Sequence, residues 1–446
     1  MEAIEVVGSE FYGRQDCFPS LEELVFENML NWKEWTSLAR IEGEFPCLRS
    51  LLIRNCPRLL GQLPNNLSSL KCLVVGCCNA MLVKSLGDLT SLTYLSIYEI
   101  LEPTCLPINV SLPSLKELFI RDCNGVLLKS MVDLTSLTNL RIHHIVKLTC
   151  LPKIFTQSLT TLETLDIRNC RDLTCLWEEG TEIEESLLPF NLKHLRLKKC
   201  RVLESLPDAM MMRMDGSSSS NTSMLMSRLE SCEVLESLPE ELGLCTPNLN
   251  FLVIGWCENF KSLPNTMYQL KSLQKLWMFG CPRIEFIPDG GLPPNLIELQ
   301  FERCENLKFV PNIMSQLTSL HRIRIPGSAL TMGLQKLTSL RSLAIEQKIP
   351  LNIVLPSSLT YLQIEKEENL ESTPGGLFQN LSSLQKLSIV HCPKLRSLPR
   401  EAFPPSLGGL YIESCPHLKQ QRFEEEGDYW TLTWSIPCVK IDDRCV

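Results

Sequence analysis

Cysteine is the residue that most invites a chemical reading of this chain. Twenty-one are present among 446 residues. Eleven recur in one setting, an apolar run followed by the cysteine, an apolar residue three places on and often a closing proline. Examples are "CRVLESLP" from Cys200, "CENFKSLP" from Cys257 and "CPKLRSLP" from Cys392. Such a series could bind metal, form disulfides or do redox chemistry. Structural zinc sites are announced by cysteine pairs two residues apart, and no C-x-x-C occurs here. Disulfides need an oxidising compartment, whereas the opening "MEAIEVVGSEFYG" has neither the basic nor the apolar region of a secretory signal. A reducing, cytoplasmic setting is therefore expected. The column formed by Cys56, Cys78, Cys123, Cys170, Cys200, Cys232, Cys257, Cys281, Cys304, Cys392 and Cys415 then reads as a structural ladder of compact apolar side chains. Neither a metal nor a cofactor is expected. Histidines occur at 143, 144, 194, 321, 391 and 417, none within G-x-S-x-G or H-E-x-x-H, so the chain is not expected to be an enzyme.

The elements that place these cysteines follow one pattern, L-x-x-L-x-[LIVF]-x-x-C-x-x-[LIF]. Clear copies begin at Leu48, Leu115, Leu162, Leu192, Leu249, Leu273, Leu296, Leu384 and Leu407. Weaker ones begin at Leu21, Leu70, Leu92, Leu137, Met224, Leu320, Leu340 and Leu359. Most are roughly 19 to 32 residues apart, the period of leucine-rich repeats. Within a copy, Leu252 and Ile254 alternate with Phe251, Val253 and Gly255, the period-2 signature of a strand with one buried face. One such strand cannot hide that face alone, so it stacks on the next copy. Proline in the "SLP" return stops further pairing. The expected fold is an α/β leucine-rich-repeat solenoid, or horseshoe. Its concave wall would be a parallel sheet of about seventeen strands, roughly 80 Å long, and its convex side mostly irregular with short helical turns.

Hydrophobic residues make up 44% and charged residues 21%, enough apolar material for a continuous core. A formal net charge of −8 argues against a nucleic-acid partner, and no apolar run approaches the roughly 20 residues of a membrane span. The expected organisation is an N-terminal lead-in over 1–17, repeats over 18–418 and a C-terminal cap over 419–446, with Trp430 and Trp434 covering the last core face. The acidic "WEEGTEIEESLLPF" (177–190) is expected as a loop between repeats. The Ser-rich stretch about 208–223 is expected as a flexible insertion.

Outward strand positions alternate with the core leucines and so define a candidate partner-binding face. Arg141, His143, Arg168, His194, Arg196 and Lys198 form a basic strip over three neighbouring copies. Phe251, Val253, Trp277 and Phe279 form an apolar patch, with Trp256 at its edge. Glu298, Gln300 and Glu302 follow, then Arg322, Arg324, Tyr361 and Tyr411. Aromatic and arginine side chains ringed by charge are typical interface anchors.

The repeat L-x-x-L-x-I-x-x-C-x-x-L-x-x-L-P resembles the distal repeats of plant intracellular disease resistance proteins of the coiled-coil, nucleotide-binding, leucine-rich-repeat class. "VVGSEFYG" (6–13) with "FPSLEELVFENMLNWKEW" (18–35) resembles the junction that opens the later repeats in that family. "EEEGDYWTLTWSIPCVKIDD" (424–443) resembles its C-terminal end. The phosphate-cradling G-x-x-x-x-G-K-[ST] loop of the family's nucleotide-binding module is absent from this sequence, so nucleotide exchange is not expected of it. The resemblance implies an innate-immunity recognition module that binds a protein: a pathogen effector, a guarded host protein, or the receptor's own nucleotide-binding or coiled-coil module. The alternative is a substrate adaptor or scaffold in ubiquitin ligation, which needs an F-box-like helical segment for which residues 1–17 are too short.

Overall fold

In the computed structural model, the structure describes residues 4–12, 18–37, 44–60, 62–64, 67–100, 110–152, 155, 158–177, 191–206, 226–308, 316–330, 333–350, 353–398, 403–418, 436–442 and 444–445. The Ser-rich insertion, the acidic loop beyond Trp177 and the tryptophans at 430 and 434 lie outside the described residues. The chain forms two compact units, Met1–Val234 and Leu235–Val446.

The first unit is built on nine five-residue strands. They are Glu23–Glu27, Ser50–Arg54, Cys72–Gly76, Tyr94–Tyr98, Glu117–Arg121, Asn139–His143, Thr164–Arg168, His194–Lys198 and Met226–Glu230. Each pairs in parallel with the next, in register, so that Leu140, Leu165 and Leu195 form one row and Ile142, Ile167 and Leu197 another. Those six side chains are at most 1% exposed. Burying a leucine or isoleucine contributes roughly 1.5–3 kcal/mol relative to leaving it in water, and each row repeats that gain at every turn. A tight turn delivers the chain to most strands. Leu92 N–H donates to Leu89 and Leu115 N–H to Leu112, both at 3.1 Å, which brings the next row of leucines inward.

The second unit repeats the plan with eight strands, Phe251–Gly255, Lys275–Phe279, Glu298–Glu302, Arg322–Pro326, Ser342–Glu346, Tyr361–Glu365, Lys386–Val390 and Gly409–Glu413. All pair in parallel with their neighbours. Cys438–Ile441 extends this sheet and is itself paired antiparallel with Arg444–Cys445. The seventeen repeat copies marked in the sequence coincide with the seventeen five-residue strands among the described residues, each beginning two residues into its copy. The opposite side of each unit carries single parallel bridges, such as Leu151 to Trp177 and Ser237 to Ser262. It also holds short helical turns, including Ala80–Asp88 and Asn265–Gln269.

The cysteine column owes its place to the backbone. After most strands one residue turns into the left-handed region, for instance Asn169 (φ 55°), Lys199 (φ 56°), Trp256 (φ 56°) and His391 (φ 54°). That conformation costs a non-glycine residue roughly 1–2 kcal/mol. The cost is offset because its N–H continues the ladder, as from Asn169 to Lys198 O (2.8 Å) and Lys199 to Glu230 O (2.7 Å). The cysteine that follows then swings inward. Cys170 Sγ lies 3.6 Å from Arg168 O and 4.0 Å from Ile142 O of the preceding strand, and Cys281 and Cys304 repeat the arrangement. All eleven column thiols are buried. Burial pushes Cys123, Cys170 and Cys200 up to about 11, 12 and 11. In the native protein a thiol reagent is expected to label exposed Cys47 promptly and the column cysteines only after denaturation. Mass spectrometry of peptides labelled before and after adding guanidinium checks this. Rapid native labelling of Cys170 would contradict the packing.

The N-terminus forms a separate cover. Val6–Val7 pairs in parallel with Glu34–Trp35, and Phe11, Tyr12, Phe18, Phe26, Trp32, Trp35 and Phe45 pack as an aromatic cluster against the first ladder strand. Trp35 Nε1 donates to Tyr12 Oη at 2.7 Å and Trp32 Nε1 to Glu34 O at 2.8 Å, so both buried indoles are satisfied.

Candidate functional site

Side chains at the first, third and fifth strand positions face away from the leucine rows. In the first unit this face carries a basic groove with one acid at its centre. Register aligns Arg141, Asp166, Arg196 and Arg228 in one column, and His143, Arg168, Lys198 and Glu230 in the next. Asp166 is 6% exposed and is gripped by Arg168 through Nε (2.7 Å) and Nη2 (2.6 Å). Arg196 Nη1 approaches to 3.6 Å and His143 Nε2 to 3.8 Å. Burial opposes the carboxylate, but His143 and Arg168 outweigh it and hold the Asp166 carboxyl down at about 2. A second buried acid, Glu230, meets Lys198 (2.8 Å) and Arg228 (3.0 Å). Arg141, His143, Thr164, Asp166, Arg168, His194, Leu195, Arg196 and Met226 line a groove of about 370 Å³.

The basic strip read from sequence is thus one cluster of Arg141, His143, Arg168, His194 and Arg196, with Lys198 turned to Glu230. Asp166 and Glu230 escaped that reading. Their signal was present, since both occupy outward strand positions beside arginines, but only the strand register shows which cations they face. The adjacent histidines diverge: His144 Nδ1 lies 2.9 Å from Asp122 Oδ1, away from Asp166.

In the second unit the open face carries aromatic side chains. Phe251 and Trp277 meet edge to face at 4.6 Å, and Trp256 and Phe279 at 6.1 Å. Arg303 Cζ lies 5.2 Å from the Trp256 ring centre, and Lys275 Nζ 6.0 Å from that of Phe251. Two glycines make room for the rings. A Cβ on Gly255 would fall 2.1 Å from the Phe279 ring, and one on Gly280 (φ 63°) 2.4 Å from Trp256. Phe251, Trp277 and Phe279 are half-buried, while Trp256 is 45% exposed. Trp277 Nε1 is covered and has no acceptor among the described residues. An unmade buried hydrogen bond costs about 1–3 kcal/mol, and the leucine core on the other face does not require it.

Two residues assigned to this face need correction. Val253 is 0% exposed, because its short side chain sits in register beside Trp277 and below the level of the rings. Glu298 is 7% exposed and accepts from Gln300 Nε2 at 2.6 Å, so it braces the sheet from within the layer of side chains. Glu302 and Arg324 belong to an ion network farther along. Arg324 pairs with Glu365 and lies 3.9 Å from Glu302, while Lys366 pairs with Glu346 and lies 3.5 Å from Glu302. Arg322 is exposed. Tyr361 Oη donates to Gln363 Oε1 at 2.7 Å, and Tyr411 leans back over Gly409. Among the described residues no group of three or more His, Cys, Asp or Glu is arranged to hold a metal ion.

In-register leucine rows, the left-handed turn and the buried thiol after it define a leucine-rich-repeat solenoid. No family model matches the chain. A solved leucine-rich-repeat protein of Leptospira interrogans is similar in fold, with a TM-score of 0.52 and 20% identity over 89% of this chain and 90% of that one. By sequence, the chain is a homologue of plant disease resistance proteins. One of them, from Arabidopsis thaliana, is 28% identical over 45% of this chain and 13% of its own length. Disease resistance RPP13-like protein 1 of the same plant is 38% identical over 16% of this chain and 8% of its own. Disease resistance protein RPP4, also from that plant, is 26% identical over 53% of this chain and 18% of its own. The chain therefore matches less than a fifth of the length of these relatives. No helix among the described residues is long and apolar enough to cross a membrane.

Proposed function

We propose that the chain is a non-catalytic recognition module of plant innate immunity, acting inside the cell by binding a protein on the open face of its sheets. The relatives' names supply the process, and the surface supplies the chemistry. The observation that carries the reading is the aromatic patch of Phe251, Trp256, Trp277 and Phe279, placed on the face opposite the core and flanked by Lys275 and Arg303. Aromatic and arginine side chains half-buried among charges are the usual anchors of protein interfaces. The partner is a pathogen effector, a guarded host protein, or another module of a longer receptor.

Two variants test the patch, Trp256→Ala and Trp277→Ala combined with Phe279→Ala. Tagged chains recovered from plant tissue are compared by quantitative mass spectrometry. A protein retained by the native chain is expected to fall by about tenfold or more with either variant, the scale of a hot-spot loss of about 1.4 kcal/mol. Far-UV circular dichroism should stay unchanged. Undiminished recovery with both variants would remove the patch from the binding surface.

A further inference from the structure

The basic groove of the first unit is a second, chemically different contact surface. We propose that it binds an acidic, extended segment of a protein partner, with two carboxylates about three residues apart meeting Arg141 and Arg196. The proposal rests on the reading of the open face as a contact surface, but it concerns residues remote in sequence from the aromatic patch and can fail without it.

Four observations converge. Among the described residues Asp166 is the only acid lining the groove, and it is already taken up by the Nε and Nη2 of Arg168. That leaves the lining with a positive excess, against a net charge of −8 for the whole chain. Arg141 is exposed and makes no ion pair among the described residues, so its guanidinium remains available.

Asp166 also orders what surrounds it. It fixes the Arg168 fork and draws Arg196 and His143 inward, while the Phe119 ring meets the His143 imidazole edge-on at 5.0 Å. Cations held in place lose less freedom on binding, and the planar arginine fork suits a carboxylate.

Size and spacing select the ligand. About 370 Å³ is the volume of a small-ligand site, more than one ion needs. Arg141, Asp166 and Arg196 stand in register on three successive strands, which puts the backbones of the two outer arginines about 10 Å apart. A polyproline-type chain returns a side chain to the same face every third residue, about 9 Å along. Nucleic acid fits less well. Binding of single strands relies on aromatic rings for base stacking; among the described residues that line this groove there is no Phe, Tyr or Trp, and the neighbouring Phe119 ring is packed edge-on against His143.

Fluorescence anisotropy with the full chain tests this. The probes are labelled nonapeptides of three Pro-Glu-Pro repeats and three Pro-Gln-Pro repeats, and a nine-nucleotide oligouridylate. The Glu peptide is expected to bind with an affinity that falls as salt rises, and the Gln peptide at least about tenfold more weakly. Arg141→Gln with Arg196→Gln should cost the Glu peptide about tenfold or more, whereas Lys271→Gln, an exposed residue of the other unit, should cost nothing. Equal binding of both peptides, or full binding by the double variant, would overturn the proposal. So would tighter binding of the oligouridylate through the same arginines, or complete displacement of the peptide by equimolar inorganic phosphate. Should the double variant lose its circular dichroism spectrum, Arg141→Gln alone carries the test, because that side chain makes no ion pair among the described residues. It is expected to weaken the Glu peptide by about threefold or more, and unchanged binding would reject the proposal.

Discussion

Replacing Trp32 with alanine is expected to destabilise the first unit by about 4 kcal/mol, the middle of the range for removal of a large buried aromatic. Trp32 is 0% exposed. Its ring centre lies 4.7 Å from Phe26 and 5.7 Å from Trp35, and its Nε1 donates to Glu34 O at 2.8 Å. A solenoid gains stability repeat by repeat, so the core side of the Glu23–Glu27 strand that faces away from Ser50–Arg54 needs apolar cover. Here the cover is this aromatic cluster, and Trp32 joins Phe26 of the first strand to the Glu34–Trp35 segment that pairs with Val6–Val7. Urea unfolding followed by far-UV circular dichroism measures the loss. Trp32→Phe keeps most of the buried area and forfeits one hydrogen bond, so it should cost far less, about 1–2 kcal/mol. A loss below about 1 kcal/mol for the alanine variant would mean that the cluster does not support the Glu23–Glu27 strand.

Asp166→Asn comes next in size, at about 2 kcal/mol near neutral pH. The carboxyl is held at about 2 in the folded protein, nearly two units below its ordinary value, and each unit is worth about 1.4 kcal/mol. The sign of the pH dependence follows. A depressed folded pKa gives stability that is complete above about pH 4 and is lost as pH falls towards 2. The native protein should therefore lose its advantage over Asp166→Asn as the solution is acidified through that window. Urea midpoints of both proteins at pH 7 and pH 3 give the comparison. A gap that stays constant between those two values would show that Arg168 and Arg196 do not depend on the charge of Asp166. The same substitution leaves the groove more positive yet less ordered, so it separates charge from positioning in the peptide experiment.

Much of this molecule is legible in the sequence because the signal is local and repeated. Leu165 and Ile167, four and six places into "LETLDIRNC", must point to the same side of a strand, whatever surrounds them, and Cys170, three places after the last of them, must follow the turn. That logic located every five-residue strand among the described residues, including those beginning at Glu23 and Met226, whose copies are weak. It also separated the open face from the core. Alternation says which way a side chain leaves the backbone, but not how deeply its neighbours cover it. Val253 and Glu298 leave on the open side and are nonetheless buried, since Trp277 beside one and the Gln300 amide on the other close over them. Likewise Gly255 and Gly280 read as unremarkable positions until the rings of Phe279 and Trp256 are seen lying across them.

The amino-acid sequence by itself determined the repeat, the strand positions, the buried thiol column and the face left for contact, because each depends on residues within about a dozen positions of one another. The tertiary structure alone decided how charges separated by 25 or more positions in the chain meet. Asp166 stands between Arg141 and Arg196 because consecutive strands stack in register, and that register is fixed by the leucine rows on the opposite face. A one-residue slip of any strand would turn its leucines towards water and its arginines into the core, so packing on one side of the sheet dictates the electrostatics on the other.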